Sequence, residues 1–289
     1  MKADARRLKE LVSVLSRDMV PRDAGNPENL EKVASFIGNE FQKYSSSVEY
    51  QPYEADYFSV RNVRAFFGPD TKERIIIGAH YDVAGPYPGA DDNASGVAGL
   101  LELSRLLPEN ELSMKVELVS YPLEEPPYFY TDHMGSYVHA HSLKQQNIKV
   151  RAMLALEMIG FFSDEPDSQQ YPLFLLRPFY PSKGNFIAVV GKLFQRKIVR
   201  VVQTSMQHAT PLPVESLNAP SLLPGVTLSD HINYWRNGFP AAMITDTAFY
   251  RNPNYHTPLD TADTLDYDRM AQVIDGVRAA IPELAATQL

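Results

Sequence analysis

The stretch RIIIGAHYDVAGPYPGADDNASGVAGLLELSRLL, residues 74–107, decides how the chain is read. It opens on a continuous apolar run ending at His80, the signature of a strand buried on both faces. It closes on ASGVAGLLELSRLL, which reads as a helix. Between them a loop rich in Gly and Pro gathers His80, Asp82, Asp91 and Asp92. Strand, polar loop and helix make the repeating unit of α/β proteins, and their ligands bind in loops at the carboxyl ends of strands. A cluster of acids is most often a solvated loop; the alternative is half of a metal site whose other donors come from later in the chain.

Working outward, the same alternation covers nearly the whole sequence. Residues 5–17 read as a helix, and a second opens at Asn26-Pro27, a cap followed by a first-turn proline. VEYQPYE (48–54) and SVRNVRAFFG (59–68) alternate like the two arms of a hairpin. MKVELVSY (114–121) and KVRAMLALEM (149–158) read as strands, with GSYVHAHSLKQQ (135–146) as a helix between them. A Pro-rich stretch (166–181) is followed by an expected helix over 184–196 and an expected strand, IVRVVQ (198–203). A loop with prolines at 211, 213, 220 and 224 leads to the strand FPAAMITD (239–246) and a last helix from about Asp266. The expectation is a single α/β domain over 1–289, with a mixed, mostly parallel central sheet and helices on both faces.

Composition narrows the function. The 289 residues carry 27 Lys and Arg against 35 Asp and Glu, a net charge of −8 with no basic run, which argues against nucleic acid. With no cysteine there is no thiol chemistry, zinc finger or disulfide. The amphipathic start MKADARRLKELVSVLSRDM does not read as a signal peptide, and no apolar run is long enough for a bilayer, so a cytoplasmic protein without a membrane partner is expected.

The polar residues at strand ends then come together. His80 ends one strand, Glu124 and Glu125 follow the next, Glu157 closes a third, Asp246 follows a fourth, and His256 lies ten residues beyond it. Two imidazoles with three or four carboxylates suit a pair of zinc ions, held roughly 3.5–4 Å apart by a bridging carboxylate. Asp82, two residues past His80, is placed to orient a ligand imidazole, and a glutamate beside a ligand is free to act as general base.

His80-x-Asp82, GADDNASG, LEEP…GS, LEMIGF, SDHINYWRNGFPAAM and YHTPLDT occur in one order over about residues 25–270. In that order they resemble the co-catalytic dizinc aminopeptidases, a family with carboxypeptidase-like members, glutaminyl cyclases and inactive relatives. The resemblance implies a zinc-exopeptidase fold, peptide substrates and two zinc ions. It implies His80 and Glu157 on one ion, Glu125 and His256 on the other, and Asp92 bridging. It also implies Glu124 as general base, Asp82 as the partner of His80, and Tyr255 as a candidate donor to the oxyanion or a pocket wall. Asp91 receives no metal role, and His231 is read as structural support.

Outside that set, His133, His139 and His141 read as helix surface, and His208 has no usable spacing. Met158, Phe161, Phe162, Phe249 and Tyr250 flank the expected ligands as pocket wall or plain core. Two departures stand out. Glu157 occupies a position where the family usually carries aspartate, an acid that in aminopeptidases also helps hold the substrate's α-ammonium. The segment 126–134 is longer than usual and expected to form a rim that narrows the cleft. The leading expectation is an aminopeptidase. A glutaminyl-cyclase-like acyltransferase is disfavoured by Tyr255, where such relatives carry tryptophan, and by Asn93. A carboxypeptidase or dipeptidase of the same fold stays open, and a non-catalytic relative would have lost ligands that are all present here.

Overall fold

The computed structural model describes residues 1–287. Its strands are β1 (Val48–Ala55), β2 (Phe58–Phe67), β3 (Glu73–His80), β4 (Lys115–Tyr121), β5 (Lys149–Glu157), β6 (Ile187–Lys192), β7 (Val214–Ala219) and β8 (Ala241–Thr245). They form one sheet in the order β1-β2-β4-β3-β5-β8-β6-β7. β3 is parallel to β4 and β5, β5 to β8, and β6 to β7, while β1–β2, β2–β4 and β6–β8 are antiparallel. The sheet is mixed and parallel at its centre, as the apolar run into His80 requires.

Successive residues of β3 face opposite ways, and both faces are apolar. Ile75 and Ile77 enter one core with α1 (Ala5–Ser13), α2 (Pro27–Gln42), α3 (Gly96–Leu106), α5 (Arg196–Ala209) and α7 (Tyr267–Ala286). Ile76 enters the second, with α4 (Gly135–Gln145) and α6 (His231–Arg236). Burial on both faces by helices is what lets a parallel strand be so continuously hydrophobic. The caps agree with their sequence signals: Asp4 accepts from the N–H groups of Arg6 and Arg7, Asp266 accepts from Arg269 N–H, and Pro27 opens α2.

One stretch departs from expectation. The helix expected over 184–196 is β6, and the strand expected over 198–203 lies inside α5. The β-branched run IVRVV has strand composition, but its buried positions are Ile198, Val199, Val202, Ser205 and Met206, one helical face. FIAVV is instead the short apolar run of a buried strand. The proline-flanked loop expected after it contains β7, at the edge of the sheet, where flanking prolines do no harm. The N-terminal helix also ends its regular α turns at Ser13 and continues as a wider turn over Val14–Asp18.

Candidate metal centre and active site

The chain delivers its polar side chains to the carboxyl edge of the parallel strands. His80 is the last residue of β3, Glu124 and Glu125 follow β4, Glu157 ends β5, and His256 lies in the loop after β8. Nε2 of His80 stands 3.4 Å from Oδ1 of Asp92 and 3.4 Å from Oε2 of Glu157. Nε2 of His256 stands 3.0 Å from Oδ2 of Asp92 and 3.2 Å from Oε1 of Glu125. Asp92 therefore turns one oxygen toward each imidazole, and the two donor sets His80–Asp92–Glu157 and Asp92–Glu125–His256 meet at it. Glu124 Oε2 is 4.0 Å from His80 Nε2.

The loops holding these groups are fixed by hydrogen bonds. The two oxygens of Asp82 accept from the N–H groups of Glu124 (3.1 Å) and Glu125 (3.0 Å), so one carboxylate orients both glutamates. Asp82 also faces Nδ1 of His80, through Oδ1 at 3.5 Å and its carbonyl at 3.2 Å. Asp260 accepts from the N–H groups of Asp91 (2.9 Å) and Asp92 (3.1 Å). The buried guanidinium of Arg22 donates to the carbonyls of Leu15, Tyr81, Pro88 and Gly89, clamping the same loop from the other side. Asn93 donates to Leu156 O and accepts from Gly96 and Met158, tying the loop to the end of β5. Gly89 turns with φ +56°, and a Cβ there would lie 2.3 Å from Val83 Cγ1 and 2.4 Å from Asp92 O. Only glycine fits that corner.

The electrostatics call for a cation. His80 Nε2 is buried and makes no hydrogen bond, although carboxylates surround it. Burial, reinforced by Asp92, pushes Glu125 up to about 8. Burial also raises Glu124 well above its usual range, with Glu125, Glu157 and Asp230 adding to the effect. Burial opposes protonation of His256, yet Asp92 and Glu125 hold its pKa up at about 10. Glutamates whose ionisation burial opposes, and an Asp92 carboxylate that the two imidazoles hold below its usual range, form a donor set whose natural complement is a metal ion.

Next to Glu157 a partly open cavity lies over β8, β6 and β7. Its walls include Phe186, Met243, Phe249 and Tyr250, and no Lys, Arg or His lines it among the described residues. Of the expected pocket residues, Phe249 and Tyr250 are there, whereas Phe161 and Phe162 pack against the main core and Met158 is fully buried. Tyr255 stacks on His256 with ring centroids 3.7 Å apart. Asp91 accepts from Gly160 N–H and Asn252, a structural setting, and Asp246 lies behind it, accepting from Phe161 and Ala248 N–H. Buried His231 faces the carbonyl of Val226 through Nε2.

His139 corrects its surface reading. It is fully buried, with Nε2 3.0 Å from Glu117 Oε1 and Nδ1 2.6 Å from the Tyr234 hydroxyl. Glu117 in turn pairs with Arg64 and Arg74. A lone histidine on a short polar-looking helix gave no hint of partners contributed by β2, β3, β4 and α6. His133 belongs to the turn before α4 and faces Asp56 at 3.6 Å, while His141 stacks on Tyr137 on the helix itself. Three groups went unread: Arg22, Asp260, and Ser229, which donates to Glu157 Oε2 at 2.7 Å. Asp260 and Ser229 sit inside YHTPLDT and SDHINYW, so the blocks that carried the resemblance also held the signal.

The model of peptidase family M28 matches residues 62–281, most of the chain. The chain belongs to peptidase family M28. This M28 member is 47% identical over 283 residues to the uncharacterized protein YfbL of Escherichia coli K12, covering 95% of this chain and 87% of that one. It is 28% identical over 227 residues to leucine aminopeptidase 1 of Arthroderma otae, covering 74% of this chain and 55% of that protein, so it spans about half the length of that relative. Among solved structures, LapB of Legionella pneumophila has a TM-score of 0.79 at 23% identity, covering 99% and 73% of the two chains. A glutaminyl cyclase of Bacteroides thetaiotaomicron reaches 0.72 at 18%, covering 97% and 98%. Both show the fold. The M28 member is a metal-dependent peptidase, and no helix among its described residues is long and apolar enough to cross a membrane.

Proposed function

We propose that this M28 peptidase is an aminopeptidase that hydrolyses the first peptide bond of substrates with a free N-terminus. The observation that carries the reading is the partly open cavity at Glu157, beside the two donor sets, with no Lys, Arg or His lining it among the described residues. A carboxylate at the mouth suits an α-ammonium, and the absence of Lys, Arg and His from the walls leaves a C-terminal carboxylate without a partner there. The relationship to a leucine aminopeptidase points the same way.

Zinc fits the donor set, with His80 and Glu157 on one side, His256 and Glu125 on the other, and Asp92 between. Bound there, it would polarise the scissile carbonyl and lower the pKa of a nearby water. The chain's own groups supply the rest. Glu124 takes a proton from the attacking water as its oxygen bonds to the carbonyl carbon. It then returns that proton to the leaving amine as the C–N bond breaks. Its buried setting raises its basicity, which suits both halves of that transfer. Asp82 holds the backbone of Glu124 and Glu125 and faces His80. The Tyr255 hydroxyl is the side-chain donor for the developing oxyanion.

The test follows masses in a peptide set with free or acetylated N-termini, incubated with the zinc-loaded full chain. Loss of one N-terminal residue from the free peptides alone supports the reading. Loss of ammonia from N-terminal Gln, with other peptides intact, would replace it with the cyclase chemistry of its structural neighbours. Cleavage at the C-terminus would move it to the carboxypeptidases.

A further inference from the structure

The cavity that begins at Glu157 ends at a second carboxylate. Across the sheet, Glu157 of β5 pairs with Thr245 of β8, Thr245 with Ala188 of β6, and Ala188 with Glu215 of β7. Side chains directly opposite one another in a ladder share a face, so one row runs from the metal centre to the edge strand. Three strand spacings of about 4.8 Å put the Cα atoms of Glu157 and Glu215 roughly 14 Å apart. The neighbouring row supplies Met243, Val190 and Leu217, and the two rows together make an apolar floor with an acid at each end.

The other polar groups around this cavity are already engaged. The Tyr171 and Tyr180 hydroxyls donate to the carbonyls of Pro181 and Ser216. Gln169 donates to Gln170 O and Thr247 and accepts from Arg251, and Ser216 donates to Gln203. The half-buried side chain of Glu215 has neither a hydrogen bond nor an ion pair among the described residues. Burial holds its carboxyl above the usual range.

We propose that Glu215 selects substrates whose N-terminal side chain is an apolar stem with a cationic tip, lysine or arginine. This deepens the aminopeptidase reading and rests on it. The α-ammonium lies at Glu157, the methylenes run along Met243, Val190 and Leu217, and the terminal cation meets Glu215. An extended lysine with a hydrogen bond of about 2.8 Å at each ammonium comes close to the length of the row. Leucine fills only the near part of the floor and leaves Glu215 unpaired. Glutamate brings like charge to it.

The experiment compares kcat/KM on peptides that differ only at the first residue (Lys, Arg, norleucine, Leu or Glu). It uses the zinc-loaded full chain and the variants Glu215→Gln and Glu215→Lys, with melting curves to check folding. Norleucine shares the stem of lysine without its charge, so the Lys/norleucine ratio isolates the tip. The wild type is expected to favour Lys and Arg by about ten- to a hundredfold, the worth of one charge-assisted hydrogen bond. Glu215→Gln is expected to collapse that ratio, and Glu215→Lys to turn the preference toward Glu. A ratio that is the same in the wild type and Glu215→Gln, with norleucine peptides cleaved, overturns the role of Glu215 and leaves the aminopeptidase reading standing. No N-terminal cleavage of any free peptide overturns both.

Discussion

Asp82 receives two consecutive N–H groups with its two oxygens, so the proposed base and the proposed metal ligand beside it are positioned by one side chain. Asp82→Asn replaces one acceptor by an NH2 that would face a backbone N–H. Zinc affinity is expected to fall about 10–100-fold, read by competition with a chelator, and kcat to fall with it. Glu124→Gln separates the two glutamates: it should retain zinc, measured by elemental analysis, and lose at least about a hundredfold in kcat. Retained zinc with near-normal turnover would remove Glu124 from the proton transfer. A third residue reports through pH. Burial lowers the pKa of His231 to about 4, so the unfolded chain takes up this proton from about 6.5 downward while the folded chain stays neutral. Stability present above that window is lost as pH falls toward 4, by about 3 kcal/mol if the whole shift is expressed. Asp230, pushed up to about 7 chiefly by burial, acts in the opposite sense. The difference between wild type and His231→Gln therefore isolates the histidine: the variant should lose less stability on acidification, measured by denaturant unfolding at a series of pH values.

At the scale of elements, the loop after β3 and the segment after β4 carry the argument. Gly89→Ala forces a Cβ against Val83 and the Asp92 carbonyl in a left-handed turn, and a loss of about 2 kcal/mol or more is expected with weakened zinc binding. The segment 126–134 bridges two neighbours: the Tyr128 hydroxyl donates to Asp56 in the β1–β2 turn, and the Tyr130 hydroxyl donates to Thr227 beside the cavity. Replacing residues 127–133 by a short Gly-rich loop is expected to widen the range of peptide lengths cleaved. An unchanged length preference would show that this rim does not limit the cleft. Legibility in the sequence varied by element for physical reasons. β3, β4 and β5 were readable because their apolar runs end abruptly at chemistry-bearing residues. β6 and α5 were exchanged because IVRVVQ has strand composition and helical spacing, and composition dominated. The donor residues could be read as a set because each follows a strand. Arg22 and His139 could not, because their partners are backbone carbonyls and side chains brought from distant elements.

Across the whole molecule, the proposed metal ligands come from the ends of two strands and from three loops, so the ion would tie together segments from residue 80 to residue 256. Chelation is then expected to lower Tm as well as abolish activity. At a hundredfold excess of zinc over its Kd, binding contributes about 2.7 kcal/mol. In a chain of this size that corresponds to roughly 4–5 °C, restored when zinc is returned. A Tm indifferent to chelator would argue that the donor set is not closed by metal.

The clamp around Gly89 and Asp92 has a further consequence for how the protein is made. Its two jaws are Arg22 and Asp260, and the bonds from Asp260 reach back across 169 and 168 residues to Asp91 and Asp92. A chain emerging from the ribosome has Arg22 early and lacks Asp260 until all eight strands have been made. The loop that presents Asp92 therefore lacks one of its two clamps while the whole sheet is being made. Metal capture at this centre is then expected only after residue 260 has been made, and a product truncated before it would have the strands without the clamp that presents Asp92.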